Sequence, residues 1–278
     1  MNEQQIEYWN GARGHAWVAE QDLRDRSLEP FGGAALRKAS ARSGERVVDV
    51  GCGCGATVLA LAAAVGPAGH VLGVDVSGPM LGRARERAAA LPNVTLLRAD
   101  AAIHPFDGRA ELLFSRFGVM FFGDPAAAFG NLRRALAPGG RLAFACWRSL
   151  AENEWMAVPA QAVRSALPSL PASDPSGPGP LAFADPARVR RILGGAGFGE
   201  IELEPFDHPM PLGNGGGLEA AATEAMTLGP AARLLAEADD SSRARALAAV
   251  REALAPHLKA NEIRLGGAAW LVTARAAG

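Results

Sequence analysis

The stretch Arg46–Gly66, RVVDVGCGCGATVLALAAAVG, reads as a buried strand, a glycine-packed turn and an alanine-rich helix. Asp49 lies at the end of the strand, and Gly51, Gly53 and Gly55 form the turn, with Cys52 between the first two. Glycines at this spacing let the backbone approach a ligand more closely than a Cβ allows. A second acid, Asp75, ends the next strand, HVLGVD. A carboxylate there suits a ribose diol, because it accepts from both hydroxyls. The third strand, VTLLRAD, ends in Asp100, placed with Ala101 to reach an adenine amino group. These features point to a nucleoside-containing cofactor.

Two details bear on which cofactor. The glycines run G-x-G-x-G, whereas the dinucleotide fingerprint is G-x-G-x-x-G. Asp49 stands two residues before the first glycine. A pyrophosphate gains nothing from a negative charge there, but a cofactor with a cationic amino-acid end does. S-adenosylmethionine carries an ammonium and a sulfonium and no phosphate.

The segments VVDVGCGCG, VLGVDVSGPML, LLRADAAIHPF and LRRALAPGGRLAFACW, in this order, resemble the class I S-adenosylmethionine-dependent methyltransferases. The resemblance runs from about Asp22 to Trp147 and, less specifically, over FADPARVRRILGGAGFGEIELEPF. With YWNGARGHAW and FSRFGVMFFGDP included, the chain is most similar to bacterial small-molecule methyltransferases related to the quinone-biosynthesis C-methyltransferases. It implies a doubly wound, mostly parallel seven-stranded α/β sheet, its last strand antiparallel, with helical cap insertions. It also implies methyl transfer to a small or medium organic acceptor, at O, N or C, by in-line displacement. The expected cofactor contacts are Asp49, Gly51, Cys52, Gly53, Gly55, Asp75, Val76, Met80, Asp100 and Ala101, with Ser115, Arg116 and Phe117 past the fourth strand. In relatives an N-terminal helix closes over the cofactor, which assigns Tyr8 and Trp9 to a lid.

The bulk numbers narrow the partners. Basic and acidic residues nearly cancel, 28 against 29, so a polyanion such as nucleic acid is disfavoured. A hydrophobic content of 49% supports a sizeable core. No apolar run approaches ~20 residues free of charge or glycine, so no transmembrane helix and no membrane partner are expected. MNEQQIEYWN lacks the form of a signal peptide, and three cysteines make no disulfide framework, which together point to the cytoplasm. Composition leaves a homo-oligomer open.

The organisation follows from the alternation of strands and helices. Residues 1–43 form a helical lid segment and 44–147 the cofactor-binding core. Residues 148–180 form a first cap insertion, in which PSLPASDPSGPGP reads as an exposed loop. The core resumes over 181–212, a helical cap insertion covers 213–262, and 263–278 supply the last strand. Expected strands are Arg46–Val50, His70–Asp75, Val94–Ala99, Glu111–Ser115, Arg141–Cys146, Glu200–Glu204 and Ala268–Ala274. Phe129, Leu132 and Leu136 share one helix face; Leu247, Val250, Leu254 and Leu258 share another.

Arg116, Trp147 and Trp155 are the candidate substrate contacts, Arg116 for an acidic group and the indoles as apolar walls. Cys52 and Cys54 lack the second ligand pair of a metal site, so no metal is expected. Among His15, His104 and His208 no catalytic base is assigned, since methyl transfer needs one only when the nucleophile starts protonated. A nicotinamide-dependent oxidoreductase and a non-catalytic cofactor-binding regulator remain as alternatives.

Overall fold

A computed structural model describes residues 2–168 and 177–276. Three helices, α1 (Glu3–Asn10), α2 (Ala12–Ala19) and α3 (Gln21–Ala39), precede an alternation of β1 (Arg46–Val50), α4 (Ala56–Val65), β2 (His70–Asp75), α5 (Gly78–Ala88) and β3 (Val94–Arg98). Then come β4 (Ala110–Arg116), α6 (Pro125–Ala135), β5 (Leu136–Trp147), α7 (Glu154–Ala166), α8 (Pro186–Gly195) and β6 (Phe198–Leu212). The chain ends with α9 (Gly217–Met226), α10 (Gly229–Leu234), α11 (Asp240–Leu254), β7 (Leu258–Lys259) and β8 (Glu262–Ala276). It divides into two compact units. The first comprises Met1–Trp147, Pro178–Phe206 and Ala269–Gly278; the second comprises Arg148–Gly177 and Asp207–Ala268.

The strand order is β3-β2-β1-β4-β5-β8-β6. β1 pairs in parallel with β2 and β4, β2 with β3, and β4 with β5, while β8 runs antiparallel to β5. β1 owes its sharp bounds to Val47, Val48 and Val50, β-branched residues that fill a strand buried on both sides, halted by the left-handed Gly51. Ser77 and Asp124 start α5 and α6 by accepting from the amides of Met80, at 3.4 Å, and Ala127, at 3.0 Å. Phe31 of α3, Phe114, Phe129, Phe144 and Phe183 are fully buried in the first unit. In the second unit α7, α9 and α11 pack on one another.

The structure adds one detail and corrects three. Beside the seven strands of the main path, two-residue β7 pairs with Glu262 and Ile263 of β8. β8 lies between β5 and β6 and is longer than the expected Ala268–Ala274. Leu136 opens β5 instead of extending the Phe129–Leu132 face, so Pro138-Gly139-Gly140 falls inside the strand, beside a register shift against β4. Leu258 leaves the α11 face: the helix stops at Leu254 before Ala255-Pro256, and Ala246 replaces the half-buried Leu247 on the buried side. Of the expected exposed loop Pro168–Pro180, residues 169–176 lie outside the described residues.

Candidate cofactor site

The glycine turn joins β1 to α4 and folds against two other elements of the first unit. Gly51, Gly53 and Gly55 have φ of 69°, 55° and 85°. L side chains avoid that region. Space is the second constraint. A Cβ on Gly51 would lie 2.8 Å from the Cα of Gly118, just past β4, and one on Gly53 would lie 2.9 Å from Cε of Met80 in α5. Cys52 and Cys54 are buried between these glycines, and burial lifts both thiols, Cys54 to about 11. They are therefore protonated at neutral pH and poor ligands or nucleophiles.

Asp49 is fully buried. Thr57, in the first turn of α4, donates to its Oδ2 at 2.5 Å, while Oδ1 has no hydrogen-bond partner among the described residues. Burial pushes the carboxyl from the ordinary 3.8 up to about 7; the Thr57 bond and the Arg116 charge oppose the rise, and Asp75 adds to it. An orphaned buried carboxylate oxygen costs free energy until a donor arrives. A cationic group fits that vacancy, and an anionic one does not.

Asp75 is tied to the backbone at both oxygens. Oδ2 accepts from the Gly53 amide and Oδ1 from the Ser77 amide, each at 2.8 Å. Burial raises its pKa, and these N–H bonds work against the rise. Each oxygen keeps a second lone pair for a hydroxyl. Asp100 Oδ1 accepts from the Ala102 amide at 2.9 Å and from Asn2 Nδ2 at 3.0 Å. Ala101 is buried, and its carbonyl accepts from Asn131 Nδ2 at 3.0 Å.

Helix α1 and the residue before it are held onto these strand ends by polar contacts. Ser77 Oγ donates to the Trp9 carbonyl at 2.7 Å. Asn10 donates to the Val76 carbonyl at 3.0 Å, and its Oδ1 accepts from the Gly78 amide and from Arg98 at 3.0 and 2.9 Å. Asn2 bridges Asp100 and the Gly123 amide. Trp9 meets Tyr8, Trp17 and Phe121 edge to face at 5.3–5.8 Å. Yet α1 buries no residue and α2 only Gly14, whereas α3 places Leu28, Phe31, Ala34, Ala35 and Ala39 in the core. Residues 1–43, expected as a lid segment, thus contain a core helix, and their first two helices bury no apolar side chain.

At the end of β4 the three candidates behave differently. Ser115 is a buried staple, donating to the Val50 carbonyl at 2.7 Å and accepting from the Gly118 amide at 3.2 Å. Arg116 pairs with Asp25 of α3 at 3.5 Å. Phe117 has φ of 62°, a strained value for a bulky residue, and stacks face to face on Trp147 at 4.0 Å. Phe31 meets both rings edge to face, at 6.0 and 5.0 Å. Trp155 belongs to the second unit, where its indole N–H donates to Asn153 at 3.1 Å. His104 lies with Arg46 and His70 on a cleft of about 240 Å³ at the opposite, N-terminal ends of β1 and β2. Sequence reasoning missed Asn2, Asn10, Asp25 and Thr57. Thr57 alone had a signal, eight residues after Asp49 in the first turn of a glycine-led helix.

Residues 47–140 match the methyltransferase domain family. A 37.1 kDa protein in transposon TN4556 of Streptomyces fradiae is 41% identical over 103 residues, 37% of this chain and 30% of that protein. Demethylmenaquinone methyltransferase of Staphylococcus aureus is 37% identical over 106 residues, 38% of this chain and 44% of that enzyme. The chain thus spans less than half the length of the curated relatives it matches. In fold it is similar to YcgJ of Bacillus subtilis, with a TM-score of 0.58 at 19% identity, covering 91% of this chain and 99% of that one. A SAM-dependent methyltransferase from Aquifex aeolicus gives 0.50 at 23% identity over 68% of this chain and 89% of that one. Residues 47–140 are thus similar to methyltransferase domains, the chain shares its fold with YcgJ and the Aquifex aeolicus SAM-dependent methyltransferase, and over about a hundred residues it resembles demethylmenaquinone methyltransferase in sequence.

Proposed function

We propose that this chain transfers the methyl group of S-adenosylmethionine to a small or medium organic acceptor. The observation that carries the reading is the buried Asp49, whose free oxygen stands beside a turn built for close backbone approach. In the proposal Asp49 takes the ammonium of the cofactor's amino-acid end. Asp75 takes the ribose hydroxyls on its remaining lone pairs, and Asp100 the adenine amino group, with Val76, Met80 and Ala101 lining the base. Gly51, Cys52, Gly53 and Gly55 bring backbone to the ligand, and Tyr8 and Trp9 cover it. When bound, the cofactor supplies an electrophilic methyl on a sulfonium. The protein's part is to align acceptor and methyl and to exclude water, and alignment alone is worth roughly 7–11 kcal/mol.

Calorimetry is the direct test. S-adenosylhomocysteine is expected to bind with a Kd of about a micromolar, and NADH not at all. Heat from NADH and none from S-adenosylhomocysteine would overturn the reading in favour of an oxidoreductase. Binding with no methyl transfer to any phenol, quinone or amine in a labelled-cofactor screen would favour a non-catalytic regulator.

Acceptor preference is assigned to the segments outside residues 47–140, which alone match the methyltransferase domain family. The aromatic rings of Phe117 and Trp147 and the near balance of charge favour an apolar or weakly polar acceptor over nucleic acid. No helix among the described residues is long and apolar enough to cross a membrane. A cytoplasmic site of action fits the three free cysteines.

The lid role of residues 1–13, with Tyr8 and Trp9, has its own test. Deleting residues 1–13 removes the contacts of Asn2, Trp9 and Asn10 but no buried apolar side chain of α1. The melting temperature is expected to fall by only about 3 °C, while turnover falls roughly five- to tenfold as water enters the site. A truncated protein that unfolds, or one that methylates at the full rate, would contradict the lid.

A further inference from the structure

Arg116 lies in a berth that α3 has been shaped to provide. A Cβ on Gly32 would lie 2.9 Å from Arg116 Cδ, so the glycine opens the helix surface to the arginine stem. Asp25, seven residues earlier and so on the same face of the helix, meets the guanidinium at 3.5 Å. Asp25 is itself held. Its Oδ2 accepts from Gln21 at 2.6 Å and pairs with Arg87 at 2.9 Å, and Arg87 also donates to the Cys54 carbonyl of the glycine turn at 2.8 Å. Gln21 in turn accepts from Arg83 at 3.1 Å.

The other carboxylate within Arg116's influence is Asp49. In the sheet register Asp49 stands beside Phe114, and Arg116, two residues on, points to the same side. The Arg116 charge acts on the Asp49 carboxyl against the effect of burial. The groups that face Asp49 are thus Thr57, Arg116, Asp75 and Cys52. One of them is a cation, and Asp49 has one open oxygen. A cation not otherwise engaged would settle on that oxygen and block the place of a ligand's ammonium.

We propose that Asp25 is a positioning residue: together with the berth at Gly32 it holds Arg116 off Asp49 and keeps that buried carboxylate open for a cationic ligand. The inference rests on the cofactor assignment above and adds to it a residue outside the methyltransferase domain match. It explains why an arginine is tolerated beside a site that must accept positive charge, and it gives the network from Gln21 to Cys54 a purpose beyond packing.

The test is a double-mutant cycle read by calorimetry with S-adenosylhomocysteine. Asp25→Asn keeps the shape of the side chain and removes its charge. Binding is expected to weaken about tenfold, the scale of one charge-assisted hydrogen bond displaced by a competitor. In an Arg116→Gln background the same substitution is expected to change binding less than twofold, because the competitor is gone. Asp25→Glu, which retains the charge, is expected to stay within about threefold of the parent. Gly32→Ala displaces Arg116 without altering Asp25, and gives a second route to the same cycle should Asp25→Asn not fold. Equal tenfold losses in both backgrounds would show a structural role only, and unchanged binding in a folded Asp25→Asn protein would overturn the inference. If the parent chain itself binds no S-adenosylhomocysteine, the cofactor assignment falls, and this inference with it.

Discussion

Asp49→Asn is expected to make the ligand-free protein more stable and the liganded protein harder to form. The carboxyl of Asp49 is raised from 3.8 to about 7 by burial. The folded chain therefore holds a proton that the unfolded chain has lost between about pH 4 and 7. The sign follows: this group leaves stability untouched below pH 4 and erodes it as pH rises, up to about 4 kcal/mol above pH 7. Asparagine removes that cost but leaves an unsatisfied buried amide, worth about 1–3 kcal/mol. A net gain of about 1–3 kcal/mol at pH 8, shrinking at pH 5, is expected from urea unfolding at the two pH values. S-adenosylhomocysteine binding is expected to weaken about 30- to 100-fold at pH 8, since a hydrogen bond between charged groups is lost. In the parent, affinity is expected to fall about tenfold from pH 8 to pH 6 as Asp49 protonates. A pH-independent affinity, or an asparagine variant less stable than the parent at pH 8, would remove Asp49 from this role.

Gly118→Ala is expected to cost about 3 kcal/mol and lower the melting temperature by roughly 10 °C. The backbone there has an ordinary negative φ of −82°, so the cause is space and not conformation. A Cβ would lie 2.7 Å from the Val50 carbonyl oxygen, 2.9 Å from Gly51 Cα and 3.0 Å from Ser115 Oγ. Two of these are backbone atoms of β1 and its turn, which have no rotamer to change. Gly82→Ala in α5 is the matched control. Nothing lies within 4 Å of its Cβ, and it is expected to stabilise by about 0.5–1 kcal/mol through helix propensity. Comparable melting temperatures for the two variants would show that β4 and the glycine turn separate readily.

Much of the fold was legible because its signals are local. β1 and β2 fall on their expected bounds, and Ser77 and Asp124 cap the helices they precede. Periodicity failed where a breaker was close. Leu258 continues the spacing of Val250 and Leu254 yet follows Pro256, and the proline decides. Leu136 continues the spacing of Phe129 and Leu132, but pairing with Ala110 pulls it into a strand. The polar wiring was illegible for a different reason. Asp25 and Arg116 are 91 residues apart, and Asn2 and Asp100 are 98 apart. No composition or period marks either partner of such a pair. Phe117 illustrates a third limit: an aromatic residue, and not a glycine, occupies a left-handed position, which its residue type does not signal.

The two backbone bonds accepted by Asp75 have a consequence for how this scaffold can change over evolutionary time. A carboxylate that served only a ribose could be traded for a neutral or basic residue, opening the pocket to a phosphorylated nucleotide. Here the same oxygens hold the Gly53 and Ser77 amides, and so fix both the glycine turn and the entry to α5. Loss of the acid would cost the architecture before any new ligand could repay it. With Asp75 as the proposed ribose ligand, ligand choice and folding fall to one side chain at that position. Diversification is thereby steered away from the nucleoside end, towards the parts of the chain that carry no such double duty.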